Sequence, residues 1–154
     1  MKIPIKHAID SDAWFKGETE FLFSDYLFRF RVLSFDRIRL EEVDNPHNIN
    51  LDEGILWLMK IEFVNLNKKE IAGFYPRSFI ILMDQDDFIF CSIFDDHLSR
   101  DSEYATTTGL RRFVQEGPLL PKIKIKGAIA FLLPDGYEKE NIYLSVTEGD
   151  IQEV

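Results

Sequence analysis

The chain has 154 residues and a mass of 18.1 kDa, which is the size of one ordinary domain. Hydrophobic residues make up 45% of it and charged residues 29%, so its composition excludes an intrinsically disordered chain and a membrane-spanning one. The formal net charge of −9 repels the phosphate backbone and argues against general nucleic-acid binding, unless the basic residues cluster on one face.

The first segment, residues 1–25, shows no regular period and is predicted to be an extension that packs on a domain formed by residues 26–154. It carries four aromatic residues that we expect to pack back onto the domain or, alternatively, to bind a partner. These four are Trp14, Phe15, Phe21 and Phe23. No apolar run follows Lys2 and Lys6, so no signal peptide is predicted and the chain as written is expected in the cytoplasm. A processed or truncated form would instead be extracellular.

From Tyr26 onward, apolar residues alternate with polar ones, as in a half-buried strand. The residues predicted to face inward are Tyr26, Phe28, Phe30, Val32, Ile38 and Leu40. Four arginines are predicted to share the outward face, namely Arg29, Arg31, Arg37 and Arg39. Residues 34–36 interrupt the run, which is therefore one bent strand or two successive strands. We expect acidic cross-strand partners such as Glu62 to neutralise the arginines.

The strongest core candidate is the segment GILWLMKIEFVN, residues 54–65. Alternation places five apolar residues on one face: Ile55, Trp57, Met59, Ile61 and Phe63. Leu56 and Leu58 on the other face also need cover, which indicates a central strand. Because its neighbours are apolar, Trp57 is predicted to be a core residue and not a platform for sugar binding.

Further strands are predicted after a loop at residues 44–50. The segment FIILMDQDDFIF, residues 79–90, is typical of a hairpin closed by the acidic residues 84–87. Residues 92–117 have little period, with a short helix expected near residues 97–104. A final pair of strands covers residues 123–133 and 142–146.

Three lysines, Lys122, Lys124 and Lys126, alternate with isoleucines at the start of the final pair. We interpret them as the solvent face of a strand, where lysine discourages edge-to-edge pairing. An anion-binding stripe is the alternative interpretation. Six or more strands with turn signals about every ten residues predict a β-sandwich.

Five segments carry a resemblance to a known family. They are FRFRVLSF at 28–35, LWLMKIEFVNLNKKEI at 56–71, RSFIILMDQDDFIF at 77–90, LLPKIKIKGAIAFLLP at 119–134 and IYLSV at 142–146. In their order they resemble the bacterial telokin-like, immunoglobulin-fold domains of unknown function, many of which occur in small secreted proteins or lipoproteins. That family commonly has Gly where this chain has Lys122, and many members carry an export signal or lipid-bearing Cys. The resemblance implies an all-β, immunoglobulin-like antiparallel β-sandwich of about seven strands without a disulfide, and it implies no catalytic residue.

Candidate chemical sites are few. The single cysteine, Cys91, lies in the apolar stretch FIFCSIF and is predicted to be a small core residue. His7, His47 and His97 are far apart in sequence and are interpreted as surface residues. The acidic runs at 84–87 and 95–97 offer oxygen ligands but lack the pattern of a calcium loop, so we interpret them as solvated turns and predict neither metal nor cofactor.

These observations favour a non-enzymatic protein-interaction module with an unidentified protein partner. No nucleophile motif or phosphate-binding glycine loop is present in the sequence. A small-ligand or carbohydrate-binding β-sandwich is the alternative, and an enzyme is third. A ligand binder should show a concave pocket with convergent polar groups, and a protein binder a flat apolar patch or an open strand edge.

Overall fold

The computed structural model of the protein describes residues 1–21, 23–38, 54–71, 79–93 and 119–154. Within them lie ten strands, one α-helix and a 3-10 turn at Lys139–Asn141. The strands are β1 Ile3–Pro4, β2 Trp14–Phe21, β3 Ser24–Arg37, β4 Ile55–Asn65, β5 Ile80–Met83, β6 Ile89–Phe90, β7 Ser92–Ile93, β8 Lys124–Leu133, β9 Tyr143–Val146 and β10 Gly149–Glu153, and the helix α1 spans Ile5–Asp10.

The strands form two antiparallel sheets, one of four strands in the order β1-β9-β5-β6 and one of six in the order β10-β2-β3-β4-β8-β7. This arrangement confirms the predicted all-β sandwich fold. It has more strands than the seven expected, because both ends of the chain and the short segments β6 and β7 also pair. Among the described residues, no helix is long and apolar enough to cross a bilayer.

The core fills the space between the two sheets, and β4 lies at the centre of the six-stranded one. Its inward residues join the main apolar cluster, as predicted. Trp57 is buried, and its ring stacks on Phe35 with centroids 4.7 Å apart and planes 8° apart. Leu56 and Leu58, on the opposite face of β4, are also buried in a second cluster with Ala130. Burial on both faces confirms the prediction of a central strand.

The prediction that residues 1–25 form an extension is wrong. β2 lies between β10 and β3 in the six-stranded sheet, and β1 pairs with β9 in the other sheet. Phe15 on β2 is fully buried beside Phe30, with ring centroids 6.1 Å apart. The N-terminal segment therefore supplies part of both sheets and of the core.

A β-bulge in β3 changes the face to which its residues point. β3 is one strand of 14 residues, and its register against β4 shifts between Val32 and Ser34. Because alternation flips at such an irregularity, Phe35 is the next core residue and Ile38 packs in the second cluster, on the outer face. The prediction that Ile38 faces the main core is therefore wrong, while Leu40 and Arg39 lie outside the described residues.

The hairpin predicted at residues 79–90 is confirmed, with Leu82 opposite Phe90 and Met83 opposite Ile89. Two other expectations are wrong: that Cys91 is a core residue, and that Lys122 lies within a strand. Cys91 is exposed between β6 and β7, so it is not a core residue. Lys122 precedes β8 in a turn with φ of 62°, a left-handed conformation that glycine adopts more readily. The predicted loop at 44–50 and helix near 97–104 lie outside the described residues.

Candidate functional site

The four aromatic residues proposed from sequence as a partner-binding patch do not form one surface. Alternation along β2 sends Trp14 to the outer face of the six-stranded sheet and Phe15 into the core. Phe15 has no exposed surface, so it cannot bind a partner. The side chain of Phe21 lies outside the described part of the chain. Phe23, in the turn between β2 and β3, is 99% exposed and has a φ of 65°, unusual for a bulky residue.

The outer face of the six-stranded sheet carries a basic band, defined here as Lys16, Arg29, Arg31, Lys124 and Lys126. Two rows of cross-strand partners form it. One row runs Lys16, Arg29, Val64, Lys124, and the other runs Trp14, Arg31, Glu62, Lys126. In the sequence the arginines and the lysines of β8 are separate features, and only the strand order brings them together.

Glu62 is the acidic partner that the sequence predicted for the arginines. Its carboxylate lies 2.9 Å from Arg31 and 3.7 Å from Lys124, and the residue is only 4% exposed. Arg31 also contacts Asp12 at 3.2 Å. Arg37 does not join this face, because the bulge in β3 places it beside Trp57, 5.1 Å from the ring centroid. The predicted single face of four arginines is therefore wrong for Arg37.

Trp14 contacts two members of the basic band. The guanidinium carbons of Arg29 and Arg31 lie 5.1 Å and 5.3 Å from the centre of its ring. Such cation–π contacts hold arginine side chains flat on the sheet and reduce their freedom. The indole is thus a structural support for the band, partly buried, and does not act as a free aromatic anchor.

A second feature lies on the outer face of the four-stranded sheet. It is an open depression of about 640 Å³, called here the apolar depression. Its lining residues are Met1, Lys2, Ile81, Met83, Asp87, Ile89, Ser145, Val146, Thr147 and Glu148. Ile89 on the edge strand β6 is 58% exposed, which leaves apolar surface open to solvent. Alternation in the hairpin indicates that Met83 and Ile89 share a face, but neither residue was predicted from the sequence to be part of a binding site.

Next to the depression, Asp84 organises the β5–β6 turn. The residue is 3% exposed, and its carboxylate accepts hydrogen bonds from the amides of Asp86 and Phe88 and, at 2.7 Å, from the hydroxyl of Tyr137. Lys2 donates to the carbonyl of Asp84 at 3.0 Å and to the carboxylate of Asp87 at 2.8 Å. The interpretation of this turn as merely solvated is therefore wrong for Asp84, which connects three distant segments.

The protonation of this pair follows from its contacts. Burial raises the pKa of Asp84, but hydrogen bonds from Tyr137, Phe88 and Asp86, with the charge of Lys2, outweigh it, so the pKa lies below the ordinary 3.8. The hydrogen bond to Asp84, together with burial and nearby acidic charge, raises the pKa of Tyr137 above 10.0. Both shifts move the pKa values of the two groups further from neutral pH, so the contact suits a fixed structural role better than proton transfer.

The remaining candidates for chemistry are spread apart. His7 is exposed and contacts Glu153 at 3.2 Å, while His47, His97 and the acidic run at 95–97 lie outside the described residues. In the part of the chain that the structure describes, no group of three or more potential metal ligands is close enough together to hold an ion. Cys91 is a free thiol exposed on the surface.

Comparison with known proteins extends only to the fold. The sequence matches no protein-family model, and no curated protein matches it. The structure is similar to the crystal structure of the yjhA protein from Bacillus subtilis, with a TM-score of 0.51 and 19% sequence identity. The match covers 79% of this chain and 74% of that protein. At this identity the likeness supports the β-sandwich fold and no shared activity.

Proposed function

We propose that the protein is a non-enzymatic protein-interaction module that binds a protein partner through the apolar depression. The supporting observation is that the outer face of the four-stranded sheet leaves apolar side chains open to solvent beside charged ones. Ile89, which is 58% exposed, and Met83 line the depression together with Lys2, Asp87 and Glu148. Exposed apolar surface flanked by charged residues is typical of surfaces that bind proteins.

The shape of the depression favours a partner protein over a small molecule. A small-ligand site normally encloses most of its ligand, whereas this depression is open to solvent and is lined in part by β6, the last strand of its sheet among the described residues. The turn beneath it is held by Lys2, Asp84 and Tyr137, so the surface is already formed before a partner arrives. Preformed surfaces bind with a smaller loss of conformational entropy.

A small-ligand or carbohydrate-binding sandwich is the second candidate function. It is supported by the volume of the depression, about 640 Å³, which lies within the usual range for ligand sites. The polar groups of Ser145, Thr147 and Asp87 in its lining would then orient the ligand. In this interpretation the binding site is the same depression, and the molecule bound is a small ligand and not a protein.

We further propose that the sandwich is of the immunoglobulin-like, telokin-like type. Two antiparallel sheets and a buried tryptophan on a central strand, Trp57, support this assignment. Backbone nuclear Overhauser effects between neighbouring strands would test it by giving the complete strand order. A strand order without the crossovers of a Greek key would contradict it.

The test of the protein-interaction proposal uses three tagged baits against a lysate of the source organism. They are the wild type, the depression variant Met83→Ser/Ile89→Ser, and the control Phe23→Ser, which removes an exposed apolar residue from a distant turn. We expect a stoichiometric protein that binds the wild type and the control and is lost with the depression variant. The protein should then be purified and its affinity measured by titration calorimetry.

Three other outcomes would contradict the proposal. A partner lost only with Phe23→Ser would place the interface at the β2–β3 turn. Equal binding of a partner by all three baits would show that the partner does not bind at the depression. If nothing is enriched, and native mass spectrometry shows a small molecule bound to the wild type but not to the depression variant, the ligand-binding candidate replaces it. Near-ultraviolet circular dichroism confirms beforehand that each bait is folded.

A further inference from the structure

We propose that the basic band is a second binding surface, on the opposite sheet from the apolar depression, and that it binds a short acidic polypeptide segment of a partner protein. This inference rests on the proposed interaction function and adds the chemistry of what is recognised. It begins from an imbalance of charge. The chain has a formal net charge of −9, yet five cations lie in two adjacent rows on one sheet face.

The strongest observation is an unfavourable pairing inside the band. Lys16 on β2 lies directly opposite Arg29 on β3. Like charges at directly opposed positions of an antiparallel pair destabilise the sheet. In the described part of the chain, Lys16, Arg29 and Lys126 form no ion pair, whereas Arg31 and Lys124 share Glu62. A carboxylate placed across Lys16 and Arg29 would convert the repulsion into attraction.

The band is already arranged to receive carboxylates. Glu62 and Asp12 show that side-chain carboxylates reach Arg31 within 2.9 Å and 3.2 Å. Trp14 holds Arg29 and Arg31 against the sheet, so less side-chain entropy is lost when they bind. Arginine presents a planar fork of donors that matches a carboxylate, and lysine adds a point charge.

The size of the band favours a short segment. From β2 to β8 it crosses three strand spacings, or about 14 Å, a distance that about four residues of extended polypeptide would cover. On the same face of the sheet, acidic residues follow Lys16 along β2 and occupy outward positions of its two neighbouring strands, β3 and β10. These positions are Glu18, Glu20, Asp25 and Asp150.

The acidic neighbours argue against larger polyanions. A nucleic acid or an anionic membrane would extend beyond the band and place further negative charges against Glu18, Glu20 and Asp150. Repulsion there would oppose the attraction of the band. A short acidic peptide can remain on the two basic rows, which is why we assign this occupant.

The test measures binding of a fluorescent hexaglutamate peptide to the full chain by anisotropy, at about 50 mM and about 300 mM salt. The band variant is Lys16→Gln/Arg29→Gln/Lys126→Gln. The control variant, Lys6→Gln/Lys68→Gln/Lys69→Gln, changes the net charge equally at exposed residues outside the band. We expect saturable binding to the wild type that weakens with salt, binding to the band variant at least about tenfold weaker, and binding to the control within about twofold of wild type.

Amide chemical-shift changes in the wild type provide a readout that does not depend on variants. They should concentrate at β2, β3 and the start of β8. The proposal is overturned if the wild type does not bind hexaglutamate, if both variants weaken binding equally, or if the shifts lie elsewhere. Tighter binding of hexathymidylate or of phosphatidylserine vesicles would also overturn it, by assigning the band to nucleic acid or membrane. Because this assay does not involve Met83 or Ile89, its failure leaves the apolar depression to be judged by the pull-down.

Discussion

The side-chain amide of Asn65 donates a hydrogen bond to the main-chain carbonyl of Leu119, 2.9 Å away and 54 residues later in the chain. The same amide donates to the carbonyl of Lys69 at 3.1 Å, while the Asn65 oxygen accepts bonds from the main chain and side chain of Asn67. The residue is 1% exposed. It therefore fixes the end of β4 to its own turn and to the segment that leads into β8.

The first prediction concerns Asn65→Asp. A carboxylate oxygen would replace the donor that faces two carbonyl groups in a buried site, so a negative charge would lie against both carbonyl oxygens. The Leu119 carbonyl would keep its bond from the Ile71 amide, while the Lys69 carbonyl would lose the bond from Asn65. We expect the free energy of unfolding to fall by roughly 2 to 4 kcal/mol. Urea denaturation measures the change, and Asn141→Asp at an exposed position is the matched control, expected within about 0.5 kcal/mol of wild type. Equal stability of the two variants would contradict the role of Asn65.

The second prediction concerns Trp57, whose ring contacts both Phe35 and Arg37. Trp57→Ala should lower the free energy of unfolding by roughly 3 to 5 kcal/mol through lost burial and a residual cavity. Trp57→Phe should lower it less, because it keeps aromatic contact and removes a ring nitrogen that is buried without a hydrogen-bond partner among the described residues. Denaturation midpoints of the two variants decide this, and an unchanged midpoint for Trp57→Ala would refute the core assignment.

The third prediction follows from the integration of the N-terminal strands into both sheets. A chain without residues 1–25 loses β1, α1 and β2 and exposes the edge of β3. We expect it to be insoluble or to lack the near-ultraviolet circular dichroism of a packed core. At single-residue level, Phe15→Ala should cost about 3 to 5 kcal/mol, whereas Phe23→Ala should stay within about 0.5 kcal/mol of wild type. Cooperative unfolding of the truncated chain would show that these strands are dispensable.

The fourth prediction is a pH dependence of stability from Asp84 and Tyr137. Since the folded pKa of Asp84 lies below 3.8, its contribution is present above that pH and is lost as pH falls through the folded pKa. The folded pKa of Tyr137 lies above 10.0, so its contribution is complete below that pH and is lost as pH rises through the folded pKa.

We therefore expect Asp84→Asn to be less stable than wild type at neutral pH, with the difference shrinking below pH 3.8. Tyr137→Phe should reduce the dependence at both extremes, because it removes the shared hydrogen bond. Urea midpoints measured from acid to alkaline pH give both profiles. The exposed carboxylate of Asp86 supplies the control, and an Asp86→Asn profile that matches Asp84→Asn would count against this account.

The sequence by itself determined the strands whose signal is local. Alternation in residues 26–32 and 54–65 indicates which side chains face the core, because neighbouring residues of a strand point to opposite faces. The double-sided burial of β4 followed from Leu56 and Leu58, and the β5–β6 hairpin from its acidic turn. The all-β sandwich follows from these elements together.

Only the tertiary structure decided what depends on residues far apart in the chain. Strand pairing placed β2 inside a sheet, aligned Lys16 with Arg29, and joined the lysines of β8 to the same band. A bulge between Val32 and Ser34 reversed the faces of Arg37 and Ile38, and one extra residue leaves little trace in composition or period. The candidate surfaces arise from such pairings, because a face is shared by strands whose order the local sequence pattern does not encode.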